Sequence, residues 1–326
     1  MDILWLEQSD VKRIIDMPLT LNAVENGFRE HGLKHVQMPP KSYLYFNKHK
    51  GDLRTMPSFV EEQDIAGVKI VNVHTNNREK GLPTVMAVIV LNSAQTGAPL
   101  AIMDGTHITD MRTGAAGGVA AKYLARKDSH VVGMVGTGGQ ARTQLIALSN
   151  VMDIEEVRMT CRNISHCTSF ESDMKQFLAA DFKSKDTVRD VCDCDILITT
   201  TPVREPLVRS EWVREGTHIN AIGADARGKQ ELDPALLKRS TIIVDDIVQA
   251  SHSGEINVPF SAGVISQSDI HAELGEVIAG IKHGRQSDNE VTIFDSTGLA
   301  IQDLVTANMV YTKAVELGIG KSIKLF

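Results

Sequence analysis

The sequence predicts an α/β protein of two domains, one doubly wound around a parallel sheet and the other a discontinuous sheet domain drawn from both chain ends. Three observations lead there. Beyond Asp128, short apolar runs alternate with helical stretches of roughly 10–15 residues, the rhythm of a parallel sheet covered on both faces. Between Lys41 and Asp104, strand-like runs follow one another with only turn residues between them. The last amphipathic stretch, residues 299–317, stands outside the alternation and is expected to return to the first domain. A length of 326 residues suits two domains of ~100–200 residues each. The boundaries read as 1–118 plus 300–326 for the sheet domain and 119–299 for a Rossmann domain.

Element by element, the N-terminal segment reads as helix, because Leu21, Val24 and Phe28 recur at helical spacing, Pro18 stands near the start and Gly32 ends the run. Strands are expected at 43–46, 68–73, 84–91 and 100–103, separated by Gly51, Asn76-Asn77, Gly81-Leu82-Pro83 and Thr96-Gly97. Residues 107–126 read as one long helix whose Ala/Gly-rich centre implies close packing. Strands of the parallel sheet fall at 131–135, 157–161, 196–200, 218–222, 242–246 and 291–294, with helices at 141–150, 168–180 and 271–283.

Composition narrows the function. Thirty-four basic against 41 acidic residues leave a net charge of −7, which argues against a nucleic-acid partner. No apolar run approaches the ~18 residues of a membrane span, the longest being 85–91. Asp2, Glu7 and Asp10 stand where a secretory leader would carry basic and then apolar residues. Four cysteines are too few for a disulfide framework, so a reduced, cytoplasmic protein is expected. Cys192-Asp193-Cys194 lacks partners at ligand spacing, and no metal is expected.

The sharpest motif is Gly136-Thr137-Gly138-Gly139-Gln140-Ala141, which follows a strand and opens a helix. Gly136 permits the tight turn, Gly138 lets the backbone approach a pyrophosphate, and Ala141 allows close helix–strand packing, while the helix N-terminus, with Gly139 and Gln140, supplies N–H donors and positive dipole. This is a dinucleotide site. At the end of the next strand a carboxylate would hold the NAD ribose, but the segment is Thr160-Cys161-Arg162-Asn163. Arg162 suits a 2′-phosphate, so NAD(P)H is expected with NADP favoured. Thr199-Thr200-Thr201 and Ile222-Gly223-Ala224-Asp225 end two further strands where a nicotinamide would lie, the hydroxyls of Thr200 and Thr201 being candidate ribose contacts. Ser296-Thr297-Gly298 opens the last helix, as an N-cap or a cofactor contact.

The first domain carries unusual cations. Lys69 lies inside an apolar strand, Arg54 precedes Met56-Pro57, and Arg112 begins the long helix. Cations converging on one site would receive a small carboxylate, Arg offering a fork matched to two oxygens. His74 follows the Lys69 strand and is a weaker candidate for the same site.

The strings GDLRTMPSF, GVKIVNVHTNN, KGLPTVMAVIVLNSAQTGAPLAIMD, MRTGAAGGVAAKYLAR, GTGGQA, THINAIGADARGKQELD and TIFDSTGLAIQDL resemble the ornithine cyclodeaminase/mu-crystallin family along nearly the whole chain, most of all its archaeal alanine-dehydrogenase branch. The resemblance implies a homodimer whose sheet domains join in a barrel, and an NAD(P)-dependent oxidative deamination of L-alanine to pyruvate and ammonia, reversible as reductive amination. It implies acid–base roles for Lys69 and Asp225, cofactor and substrate anchoring for Arg112, and cofactor contacts near Gly139, Gln140, Thr200, Asp225, Lys229 and Ser296. Lys41 stands where an Arg often binds the substrate carboxylate. The alternatives within the family are an ornithine cyclodeaminase or cyclic ketimine reductase, and a mu-crystallin-like NADPH- and hormone-binding protein. Ornithine cyclodeaminases typically carry a Glu at the position of Arg54, and the reversed charge here disfavours a substrate with a distal ammonium.

Overall fold

The computed structural model describes residues 2–325. The chain divides into two compact units, Met1–Arg112 with Leu299–Phe326, and Thr113–Gly298. The division therefore falls inside the long helix, a few residues ahead of the boundary expected at 118, because the N-terminal turns of that helix pack with the first sheet.

Unit 1 holds β1 (Asp2–Leu6), α1 (Gln8–Ile14), α2 (Met17–Gly32), β2 (Val36–Gln37), β3 (Ser42–Phe46), β4 (Gly51–Val60), β5 (Ile65–His74), β6 (Val85–Ser93), β7 (Pro99–Asp104) and the start of α3 (Thr106–Leu124). Its sheet runs β2-β4-β5-β6-β7-β1 and then a C-terminal strand, with β3 also on β4. β1 pairs parallel with β7, and β3 to β7 are antiparallel neighbours. The N-terminal residues 2–6 are thus strand, correcting the all-helical reading. Ile3 and Leu6 are buried, and pairing with β7 outweighs the helical pattern that starts just after them. β4 was not foreseen, since Gly51, Asp52 and Pro57 are poor strand formers. Pro57 lies between the β3 pairing, which ends at Thr55, and the β2 pairing, which begins at Phe59. A missing N–H costs no ladder bond on that stretch of edge.

Alternation sets the two faces of this sheet. Met56, Lys69, Ile89 and Met103 form one inward row across β4 to β7. The inward face is covered by α11 (Ala300–Leu317), which contacts β4, β5 and β6 and packs on α2. Gly27 makes the helix contact close: a Cβ there would meet Val305 Cγ2 at 3.0 Å. The chain closes with β16 (Lys321–Lys324), antiparallel to β1. On the outward face Leu44, Met86 and Val88 are exposed.

Unit 2 holds β8 (Val131–Val135), α4 (Gly139–Ser149), β9 (Glu156–Thr160), α5 (Ile164–Met174), β10 (Asp181–Ser184), α6 (Val188–Cys192), β11 (Ile196–Thr199), β12 (His218–Ala221), α7 (Pro234–Lys238), β13 (Thr241–Val244), α8 (Ile247–Ser253), α9 (Asn257–Ser261), β14 (Ile270–Glu273), α10 (Leu274–Ile278) and β15 (Thr292–Asp295). All are parallel, in the order β10-β9-β8-β11-β12-β15-β13-β14. Counted from β8 this is the 3-2-1-4-5 order of a doubly wound sheet, with its switch point between β8 and β11. Strands such as Val131–Val135 are apolar throughout because helices cover both faces. Two helices are corrected. α5 starts at Ile164, where Asn163 caps it by accepting from Ser165 N at 3.0 Å. Residues 270–273 pair with β13 as an edge strand before α10 begins.

Candidate functional site

In unit 1 the inward row of the sheet places a charge among apolar neighbours. Lys69 is 2% exposed, and its Nζ lies 2.6 Å from Asp303 Oδ2 and donates to Thr109 Oγ1 at 3.3 Å. The other oxygen of Asp303 accepts from Arg112 Nε at 2.8 Å, and Arg112 Nη1 donates to Gln302 Oε1 at 2.8 Å. One buried carboxylate therefore sits between two buried cations. Burial pushes the Lys69 pKa down to about 7; Asp303 opposes the shift, while Arg112 and Lys41 add to it. Lys41 is thus close enough to act on Lys69 electrostatically. A buried cation with this pKa exchanges a proton near neutral pH.

Arg54 sits on the same sheet face, but it is not an uncommitted charge. Its Nε and Nη2 fork onto Asp52 at 2.8 and 3.2 Å, and its guanidinium stacks 5.4 Å from the Tyr43 ring centre. His74 lies on the opposite face of β5, with its ring stacked on Phe46, which takes it away from Lys69. Asp303 was missed in the sequence. Its signal was available: on α11 it shares the stripe of Ala307, Val310 and Ala314, an acid on the apolar face.

In unit 2 the glycine loop leaves β8 at the switch point. Gly136 has φ +104°, and a Cβ there would lie 2.7 Å from Thr200 Oγ1, so only glycine fits the turn. Gly138 and Gly139 have open space where a Cβ would be. Gly138 caps α4 without a side-chain hydrogen bond, and the helix begins at Gly139 and Gln140. A phosphate group fits such a cradle of backbone donors. Thr200 donates its N–H to Val135 O, while its hydroxyl is buried with no hydrogen-bond partner among the described residues. That hydroxyl is available to a ribose.

The neighbouring strand ends are tied by buried carboxylates. Thr201 Oγ1 donates to Glu231 Oε1 at 2.6 Å, so this hydroxyl, read as a ribose contact, already has a structural acceptor. Asp225 follows Ile222, Gly223 and Ala224 and pairs with Lys229 at 2.5 Å, which brings together two residues read as site members. Ser296 is 3% exposed and donates its N–H to Ala221 O. It does not cap the last helix: the cap position of α11 is Leu299, and Thr297 and Gly298 are instead held by Asp245. Arg162 is exposed just beyond β9. Beside it Cys161 and Cys167 form a disulfide, which corrects the expectation of four reduced cysteines; Cys192 and Cys194 are free and buried. The spacing across a strand end and a helix start brings these two together, a contact that cysteine counting does not reveal. No helix among the described residues is long and apolar enough to cross a membrane.

The model of the ornithine cyclodeaminase/mu-crystallin family matches residues 2–318. An alanine dehydrogenase of Archaeoglobus fulgidus is 53% identical, the alignment covering 100% of this chain and 99% of the relative. The solved structure of an archaeal alanine dehydrogenase dimer with bound NAD superposes with a TM-score of 0.97 at 53% identity, covering 100% of both chains. The Δ1-pyrroline-2-carboxylate reductase of Thermococcus litoralis, solved with NADH and L-proline, superposes at 0.95 with 42% identity, covering 98% of this chain and 100% of that one.

Proposed function

The chain belongs to the ornithine cyclodeaminase/mu-crystallin family, and from that premise we propose that it is a nicotinamide-dependent alanine dehydrogenase, interconverting L-alanine with pyruvate and ammonia. The observation that carries this reading is 53% identity, end to end, with a relative of that name. The nicotinamide, held by the glycine loop and the neighbouring strand ends, would supply the hydride chemistry that links Cα of the amino acid with the imine carbon. The chain's own residues anchor the substrate and move protons. Lys41, Arg112 and Arg54 supply positive charge for the carboxylate, Arg54 in a supporting place because Asp52 already engages its fork. Lys69 moves the proton at the carbonyl or amino group, its lowered pKa suiting that task at neutral pH. Asp225 is the second acid–base group.

A screen of NAD(P)H absorbance with 2-oxo acids, and of amino acids with the oxidised cofactors, tests the reading. Pyruvate with ammonia is expected to oxidise the cofactor, and ornithine to yield little proline. Asp52 offsets part of the Arg54 charge, so the margin against ornithine is about tenfold, the equivalent of ~1.4 kcal/mol. Faster proline formation than alanine oxidation would overturn the assignment. The second reading, reduction of Δ1-pyrroline-2-carboxylate, rests on the 42% identity with that reductase and is settled by the same screen.

For the cofactor, an exposed Arg162 with no carboxylate at the end of β9 supports NADPH over NADH. Titration of intrinsic fluorescence should give the smaller dissociation constant for NADPH; equal or tighter NADH binding sinks the preference. The exposed Leu44, Met86 and Val88 support a homodimer joined through the outward sheet face. Light scattering giving the mass of a single chain would refute it. We also propose a cytoplasmic location, resting on the sequence composition and not on the cysteines, since Cys161 and Cys167 are paired; fractionation of the source cells checks it.

A further inference from the structure

Glu231 is fully buried, yet every hydrogen bond recorded for its carboxylate reaches a strand-end loop. Oε1 accepts from Thr201 N and Thr201 Oγ1, both at 2.6 Å. Oε2 accepts from Thr199 Oγ1 at 2.7 Å and from Gly223 N at 2.8 Å. The first three donors leave the end of β11 and the fourth leaves the end of β12, adjacent parallel strands. A carboxylate offers about four acceptor sites and no donor, which matches four donors; an amide would turn an N–H toward at least one of them. The side chain leaves no slack either. A Cβ on Gly223 would meet Glu231 Oε2 at 2.6 Å and Thr201 O at 2.2 Å.

Glu231 is itself held in place. Glu255 accepts from Glu231 N at 2.8 Å and from Leu232 N at 2.7 Å, and Asp295 at the end of β15 accepts from Glu255 N at 2.8 Å. What Glu231 fixes is specific: Thr200, whose buried hydroxyl has no partner among the described residues, lies between the two threonines it binds, and Asp225 lies two residues beyond Gly223.

We propose that Glu231 is a positioning residue for the nicotinamide half of the cofactor, holding the loops of Thr200 and Asp225 in register while leaving the glycine-loop half untouched. The proposal rests on the dinucleotide reading above and goes beyond it by giving the nicotinamide half of the cofactor site a positioning residue of its own. The test compares a whole cofactor with its nicotinamide-free fragment: NADPH with 2′-phospho-ADP-ribose, or NADH with ADP-ribose, whichever pair the wild type binds more tightly. In Glu231→Gln the fragment should bind within about twofold of wild type, the reduced cofactor at least fivefold more weakly, and the enhanced emission of the bound nicotinamide should fall. Thr199→Val, which removes one of the four donors by a near-isosteric change, should move the same ratio in the same direction and guards against a misfolded Glu231→Gln. Equal loss for cofactor and fragment, or no loss for either, overturns the proposal. A wild type that binds the cofactor but turns over no alanine or pyruvate would refute the substrate assignment and leave this comparison intact; one that binds no cofactor removes both.

Discussion

Asp303→Ala is expected to lower the unfolding free energy by about 3–5 kcal/mol, the cost of leaving buried charge without its partner. Lys69 and Arg112 share that one carboxylate, at 2.6 and 2.8 Å, and all three side chains are nearly inaccessible to water. Without it, two cations face each other in a medium that screens them poorly. Lys69 can escape by losing its proton; Arg112 cannot. Urea titration with an unchanged slope reads the effect directly. A loss below about 1 kcal/mol would mean that water enters the site, and would remove the case for a dry catalytic group.

Lys69→Met should reduce turnover by about 10²–10⁴-fold, the usual contribution of a positioned proton-transfer group, while cofactor affinity stays within about twofold. Near-normal turnover would end its assignment. The same variant carries a stability signature of known sign. The Lys69 pKa is lowered from 10.5 to about 7 in the folded protein. Below pH 7 the group is protonated in both states and the full cost of burying the cation is present. Between pH 7 and 10.5 the unfolded chain binds more protons than the folded one, so this residue makes stability rise with pH across that window. Lys69→Met should flatten that part of the profile, and a profile identical to wild type would show that Lys69 keeps its proton when buried.

How much of this was legible beforehand depended on where the determining contact lay. The six inner strands of unit 2 were readable because they are buried largely on both faces, whereas the polar edge strands β10 and β14 were not, and Gly136 was readable because a turn with φ +104° excludes other residues. Lys69 announced itself as a charge inside an apolar run. β4 hid behind Gly51, Asp52 and Pro57, and the compatibility of Pro57 with a strand depends on which edge of β4 is paired at that point. The Asp303 bridge joins residues whose meeting is decided by folding rather than by spacing, and the Cys161–Cys167 pair depends on the turn from β9 into α5. Arg54 was foreseen as a site residue, but its commitment to Asp52, two positions away on the same face of one strand, passed unnoticed; the i, i+2 relation in a strand would have revealed it. Glu231 was simply one acid in a polar loop until four donors were seen around it.

The helix that carries Asp303 is made long after the sheet it covers. The sheet that buries Lys69 is complete through β7 long before α11 exists, and its inward face is what α11 covers. At ~5–20 residues per second, the wait between Lys69 and Asp303 at the ribosome is on the order of ten to fifty seconds. During that interval the lysine has no carboxylate to neutralise it and the apolar row beside it has no lid, so the sheet domain cannot close. α11 therefore acts as a completion signal: a message truncated before α11 would release a chain with a finished dinucleotide domain and an open, aggregation-prone sheet.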